Sequence, residues 1–151
     1  MLKPQNETVT PTKDSPTVVE KEPENIEPNI TNKNDLVFHK TELSDLINEA
    51  IADEKIIMLF FSADWCRPCK EYKNVTFQED DIKSFLQKNF LIKYLDVEVD
   101  FEGIELNTKY NVKNLPTLVF LNPEGQEINR IVGHISGYSF LKKLQDINAI
   151  H

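Results

Sequence analysis

Cys66 and Cys69, the only two cysteines of the chain, lie in the run Trp65-Cys66-Arg67-Pro68-Cys69-Lys70. The thiolate is the species that attacks a disulfide, and an ordinary thiol of pKa about 8.5 is only about 3% ionised at pH 7. Whatever lowers that pKa therefore governs the reactivity of the pair. The apolar run Ile56-Ile57-Met58-Leu59-Phe60-Phe61 just upstream reads as a central strand, so the cysteines fall where a strand passes into a helix. At a helix N-terminus the unpaired N–H groups and the positive dipole end stabilise a Cys66 thiolate by a few tenths to about 2 kcal/mol. Arg67 and Lys70 act in the same direction. Cys69, one turn further on, is positioned to attack a mixed disulfide formed at Cys66, and is expected to be the more shielded and less acidic sulfur. Pro68 has no N–H and a φ suited to a first helical turn, which stiffens the loop between the sulfurs.

Two nearby cysteines could also be packed core residues or half of a zinc site. Zinc would require two further ligands, and His39, His134 and His151 are scattered without paired spacing. No metal and no cofactor is expected. A further element, Leu115-Pro116-Thr117, precedes an apolar strand; by itself a proline there reads as the end of a loop, with a trans bond.

The surrounding elements form an α/β pattern. Leu36 to Phe38 reads as a short strand, and Thr41 as the N-cap of a helix carrying Leu43, Leu46, Ile47, Ala50 and Ile51 on one face. After the central strand, Cys66 to Phe77 reads as one helix and Asp81 to Asn89 as another. Leu91 to Val97 has strand composition, and Ile104 to Tyr110 reads as a helix crossing back over the sheet. Strands Thr117 to Leu121 and Glu127 to Val132 are joined by Asn122-Pro123-Glu124-Gly125, a turn suited to an antiparallel hairpin, and an amphipathic helix from Tyr138 to Ile147 ends the pattern.

Composition bounds the rest. The 151 residues suffice for one ordinary domain, and the formal charge of −8, with no basic stripe to follow a phosphate backbone, argues against nucleic acid. The longest apolar run is far short of the roughly 20 residues that span a bilayer. Residues 1–34 contain no aromatic side chain and carry prolines at 4, 11, 16, 23 and 28, a composition expected of a disordered tail or tether, with the folded domain over 35–151. Met1-Leu2-Lys3 runs into Pro4 without the apolar segment of a signal peptide, which leaves a cytoplasmic protein or one whose export signal lies outside this sequence.

The Trp-Cys-Arg-Pro-Cys-Lys run at a strand-to-helix junction, with Pro116 before a later strand, resembles the thioredoxin-fold family from about Leu36 to Ile147. Ala63-Asp64-Trp65-Cys66, Cys69-Lys70-Glu71 and Thr76-Phe77 are most similar to the C-terminal domain of the DsbD type of thiol:disulfide interchange protein and its single-domain relatives, and the resemblance to those relatives implies a protein that is exported and often tethered. The resemblance implies a thioredoxin fold, with a central mixed sheet flanked by helices, and a cis bond at Pro116 opposite the sulfurs. It further implies a substrate groove in which Leu115 and Thr117 flank the peptide-pairing backbone, Gly133 lines the same groove and Trp65 forms its apolar rim. Many thioredoxins carry a buried Asp six residues before the first cysteine; here that residue is Phe60, and Asp64 and Glu71, near in sequence, read more readily as solvated surface carboxylates than as proton acceptors, so no general base is assigned.

The expected function is a monomeric thiol-disulfide oxidoreductase that reduces protein disulfides and is recycled by an upstream thiol reductant. A periplasmic or otherwise exported location follows from the resemblance, with the cytoplasm as the alternative. Other readings are a disulfide oxidant or isomerase of the same fold, a redox-regulated binding module, or a metal-delivery protein, although the last uses a longer cysteine spacing.

Overall fold

The computed structural model describes residues 35–150, so the expectation of a disordered tail at 1–34 lies outside the described residues. Strand β2 (Ile56–Ser62) is buried along its whole length at the centre of a five-stranded sheet of order β1-β3-β2-β4-β5. Strands β1 (Phe38–His39) and β3 (Phe90–Asp96) run parallel to it on one side. Strands β4 (Thr117–Leu121) and β5 (Glu127–Val132) complete the sheet as an antiparallel hairpin on the other.

The helices follow from what β2 presents. Successive strand side chains point to opposite faces, so Ile56, Met58 and Phe60 share one apolar cluster and Ile57, Leu59 and Phe61 another. The first face is covered by α2 (Arg67–Asn74), α3 (Asp80–Asn89) and α5 (Gly137–Ala149), which contribute Tyr72, Ile82, Leu86, Phe140 and Leu144. The second is covered by α1 (Leu43–Asp53) and α4 (Phe101–Lys109) through Leu43, Leu46, Ala50 and Leu106. A strand apolar at every position is therefore explained by helices on both sides.

Several boundaries differ from those expected. The N-cap of α1 is Glu42 rather than Thr41, and it makes no side-chain cap. The free N–H of Leu43 instead donates to Glu102 Oε2 of α4 at 2.8 Å, while the Thr41 carbonyl accepts from Lys93 Nζ at 2.6 Å. Lys93 is only 3% exposed and also pairs with Glu102 at 2.8 Å, so one buried ion pair ties β3, α4 and the start of α1 together. The helix expected over Cys66 to Phe77 breaks at Val75 and continues as a 3-10 turn, Thr76–Gln78. There Thr76 Oγ1 meets His134 Nε2 at 2.9 Å, and Gln78 Nε2 donates to the exposed Lys73 carbonyl. Helix α4 starts at Phe101 rather than Ile104, because the Asp96 carboxylate accepts the Glu98 and Val99 N–H groups and turns the chain early. Gly103 makes the crossing possible, since a Cβ there would lie 2.3 Å from the Asp96 carbonyl oxygen. Strand β1 covers Phe38–His39 instead of Leu36 to Phe38.

Candidate active site

Strand β2 ends at Ser62, and a short loop carries the chain to Cys66, the N-cap of α2. Cys66 has an extended φ/ψ of −82°/106°, and its sulfur accepts the Cys69 N–H at 3.3 Å. A side-chain acceptor at this position ordinarily satisfies one of the orphan donors of a helix, and here the acceptor is the sulfur itself. Cys66 and Cys69 form a disulfide across Cα atoms 5.3 Å apart. Arg67 and Pro68 occupy the first two helical positions and are exposed, and Lys70 is exposed one residue past Cys69.

The sulfurs do not differ in exposure as expected. In the disulfide Cys66 is 2% exposed and Cys69 1%, and both belong to the apolar cluster that holds Ala63 and Tyr72. What separates them in this state is position: Cys66 caps the helix and Cys69 lies inside its first turn.

The other expected site residues fall into two groups. Trp65, 66% exposed, and Leu115 line one open hollow with Val97, Asn107, Val112 and Asn114. The Trp65 indole N–H donates to Glu98 Oε2 at 2.8 Å, and the Glu98 N–H donates in turn to the Asp96 carboxylate. Pro116, cis to Leu115, accepts the Gly133 N–H at 2.8 Å, and buried Thr117 donates from Oγ1 to the Asn114 carbonyl. Gly133 has φ +85°, a left-handed conformation that a side chain rarely adopts.

Residues that the sequence did not single out support this framework. Tyr72 lies three residues after Cys69 on α2, and its hydroxyl donates to the Gly133 carbonyl at 3.0 Å while accepting the Ile135 N–H at 3.1 Å. The phenol thus joins α2 to the loop after β5. Burial pushes its pKa up to about 12, against the lowering effect of the Ile135 N–H. His134 packs edge-on against the Tyr72 ring at 4.5 Å. The spacing Cys69-x-x-Tyr72 was a usable signal for Tyr72, whereas nothing local pointed to Glu98 or His134.

Phe60 lies within an aromatic group, with ring centroids 6.1 Å from Tyr72, 5.4 Å from Phe77 and 5.4 Å from Tyr94. Apolar burial there leaves no place for an ionised group. Of the two carboxylates considered in its stead, Asp64 lines a cleft of about 160 Å³ that also touches Cys69, and Glu71 is exposed on α2 without lining it.

A five-stranded sheet of this order with a capping cysteine at the end of its central strand defines a thioredoxin-like oxidoreductase fold. A family profile described as "Thioredoxin-like domain" matches residues 43–148, and the chain belongs to that family. The thiol:disulfide interchange protein DsbD of Yersinia pestis (strain Pestoides F) is 35% identical over 103 residues, which are 67% of this chain and 17% of the relative. The chain thus matches about a sixth of that relative's length. A putative disulphide-isomerase from Bacteroides thetaiotaomicron superposes with TM-score 0.66 at 27% identity, covering 77% of this chain and 95% of the other. The oxidised C-terminal domain of Neisseria meningitidis DsbD superposes with TM-score 0.56 at 22% identity, over 69% of this chain and 91% of that one, a likeness of fold. Among the described residues no helix is long and apolar enough to cross a membrane, and no group of three or more His, Cys, Asp or Glu side chains could hold a metal ion.

Proposed function

We propose that the domain reduces protein disulfides by dithiol exchange, with Cys66 as the nucleophile and Cys69 as the resolving thiol. The observation that carries this reading is the capping geometry, in which the Cys66 sulfur accepts the Cys69 N–H at the start of α2. A donor and dipole end that hold a sulfur in the disulfide hold a thiolate more strongly, since a hydrogen bond to an ionised acceptor is roughly twice as strong as a neutral one. The Cys66 thiolate attacks one sulfur of a substrate cystine, forming a mixed disulfide and releasing the other substrate sulfur as a thiolate, which takes up a proton. The Cys69 thiolate then attacks Cys66 Sγ, and the bond to the substrate breaks with its electron pair on the second substrate sulfur. The substrate leaves reduced by two electrons and the protein is left as the Cys66–Cys69 disulfide. A thiol reductant of higher reducing power restores the dithiol.

In this reading Trp65 and Leu115 form an apolar wall for the substrate, and the Leu115-Pro116-Thr117 backbone, braced by Gly133, pairs with an extended substrate segment. Arg67 and Lys70 supply positive charge near the helix start, and Pro68 keeps the first turn rigid. Similarity to DsbD supports an exported, periplasmic setting for the exchange. Reduction of insulin disulfides under a dithiol regenerating system tests the function: the wild-type protein is expected to accelerate insulin precipitation, and the Cys66→Ser variant to fall to the rate of the reductant alone. Equal rates for the two proteins would refute it.

A further inference from the structure

The resolving step requires Cys69 to lose its proton, and Phe60, which shares an apolar cluster with Cys69, supplies no group to accept it. A cleft lined by Ser62, Asp64, Cys69, Lys70, Lys73 and Tyr94 opens onto Cys69 from the α2 and β3 side. Lys73 follows Cys69 by four residues on α2, so both project from the same helix face. Its ammonium is held in place, with Nζ 4.9 Å from the centroid of the Tyr94 ring and 5.9 Å from that of Phe38. Tyr94 is itself anchored by its hydroxyl, which donates to Ser62 Oγ at 3.3 Å.

We propose that Lys73 is a positioning residue for the resolving step, its ammonium stabilising the Cys69 thiolate across this cleft; the role rests on the exchange reading above. The charged and titratable groups facing the cleft are Asp64 from the loop after β2, Lys70 and Lys73 from α2, and the phenol of Tyr94 from β3. Two cations oppose one carboxylate, and of the two Lys73 is the one fixed over aromatic rings. The Cys69 proton leaves to water in the cleft, the thiolate electron pair forms the bond to Cys66 Sγ, and the substrate sulfur departs with the pair of the broken bond. Lys73 exchanges no proton in this step; it lowers the free energy of the anion. An opposite charge facing a thiolate lowers its pKa, and water in an open cleft screens much of the effect, so a shift of about half a unit is expected here.

The test reads the thiol directly. In full-length protein carrying Cys66→Ser, which leaves Cys69 as the sole thiol, the cysteine ¹³Cβ shift is followed against pH. Lys73→Met keeps the stem over the rings and removes the charge, and is expected to raise the Cys69 pKa by about half a unit, a roughly threefold loss of thiolate below that pKa. Lys73→Arg is expected to restore it. Lys73→Gln carries the same expectation as Lys73→Met should the latter fold poorly. A Cys69 pKa unchanged by Lys73→Met or Lys73→Gln, or raised equally by Lys73→Arg, would overturn the proposal. No substrate enters this titration, so a shift without insulin reduction would refute only the function, and insulin reduction without a shift only the role of Lys73.

Discussion

Replacing Tyr72 by Phe removes one oxygen atom and keeps the ring that stacks on Phe77 at 5.2 Å and meets Phe140 at 5.3 Å. That oxygen joins the Gly133 carbonyl to the Ile135 N–H, and the bridge crosses from α2 to the loop after β5. Each unmade hydrogen bond at a buried group costs about 1–3 kcal/mol, and the partial exposure of this loop lets water recover part of the two. A loss of about 1.5–2.5 kcal/mol at pH 7 is therefore expected in urea unfolding of the oxidised protein. The same atom sets an alkaline limb. The phenol titrates at about 12 when folded against an ordinary 10.0, so its contribution to stability is complete below pH 10 and is lost as the pH rises towards 12. By pH 11 this linkage removes about 1.4 kcal/mol from the wild type and nothing from the variant. The stability gap between the two proteins should accordingly narrow between pH 9 and pH 11. A gap absent at pH 7, or one that is constant or widens towards pH 11, would refute the reasoning.

Other perturbations follow from the same contacts. Gly103→Ala is expected to cost about 1–3 kcal/mol in thermal or urea unfolding, because its Cβ would meet the Asp96 backbone, which cannot move aside as a side chain could. Glu102→Ala leaves buried Lys93 without its counter-charge and the Leu43 N–H without its acceptor, and a loss near the lower end of about 3–5 kcal/mol is expected by the same measurement. Brief iodoacetamide treatment of the reduced protein near neutral pH should label Cys66 before Cys69 by mass mapping, since the helix end favours the Cys66 thiolate once the disulfide opens. Removal of residues 1–34, which carry no aromatic side chain and five prolines, should shift the unfolding temperature by less than about 2 °C.

The two hairpin strands and the central strand were readable because their signals are local, whereas β1 and β3 are each displaced from the bounds expected of them. Thr117–Leu121 and Glu127–Val132 have the boundaries expected from their composition and the intervening turn, and the unbroken apolar run of β2 correctly implied cover on both faces. Helix ends were less readable where the satisfying group comes from far along the chain. The N–H at the start of α1 is met by Glu102, 59 residues away, and the turn at Thr76 by His134, 58 residues away. The capping cysteine was visible in the sequence because its partner is three residues off. By contrast, the cleft at Cys69 gathers Ser62 from β2, Lys73 from α2 and Tyr94 from β3, and no spacing in the sequence joins those three. The latch of Glu98 on Trp65 is hidden for the same reason.

The division of labour between the two sulfurs is tested most directly by trapping on a defined disulfide. Full-length Cys69→Ser and Cys66→Ser proteins, each reduced, are mixed with a peptide carrying a single cystine, and the mixed disulfides are quantified by mass spectrometry under non-reducing conditions. Cys69→Ser is expected to accumulate the adduct on Cys66, because the first attack proceeds and the resolving attack cannot, while Cys66→Ser accumulates little. Equal accumulation in the two variants, or adduct chiefly on Cys69, would contradict the assignment of Cys66 as the attacking thiol.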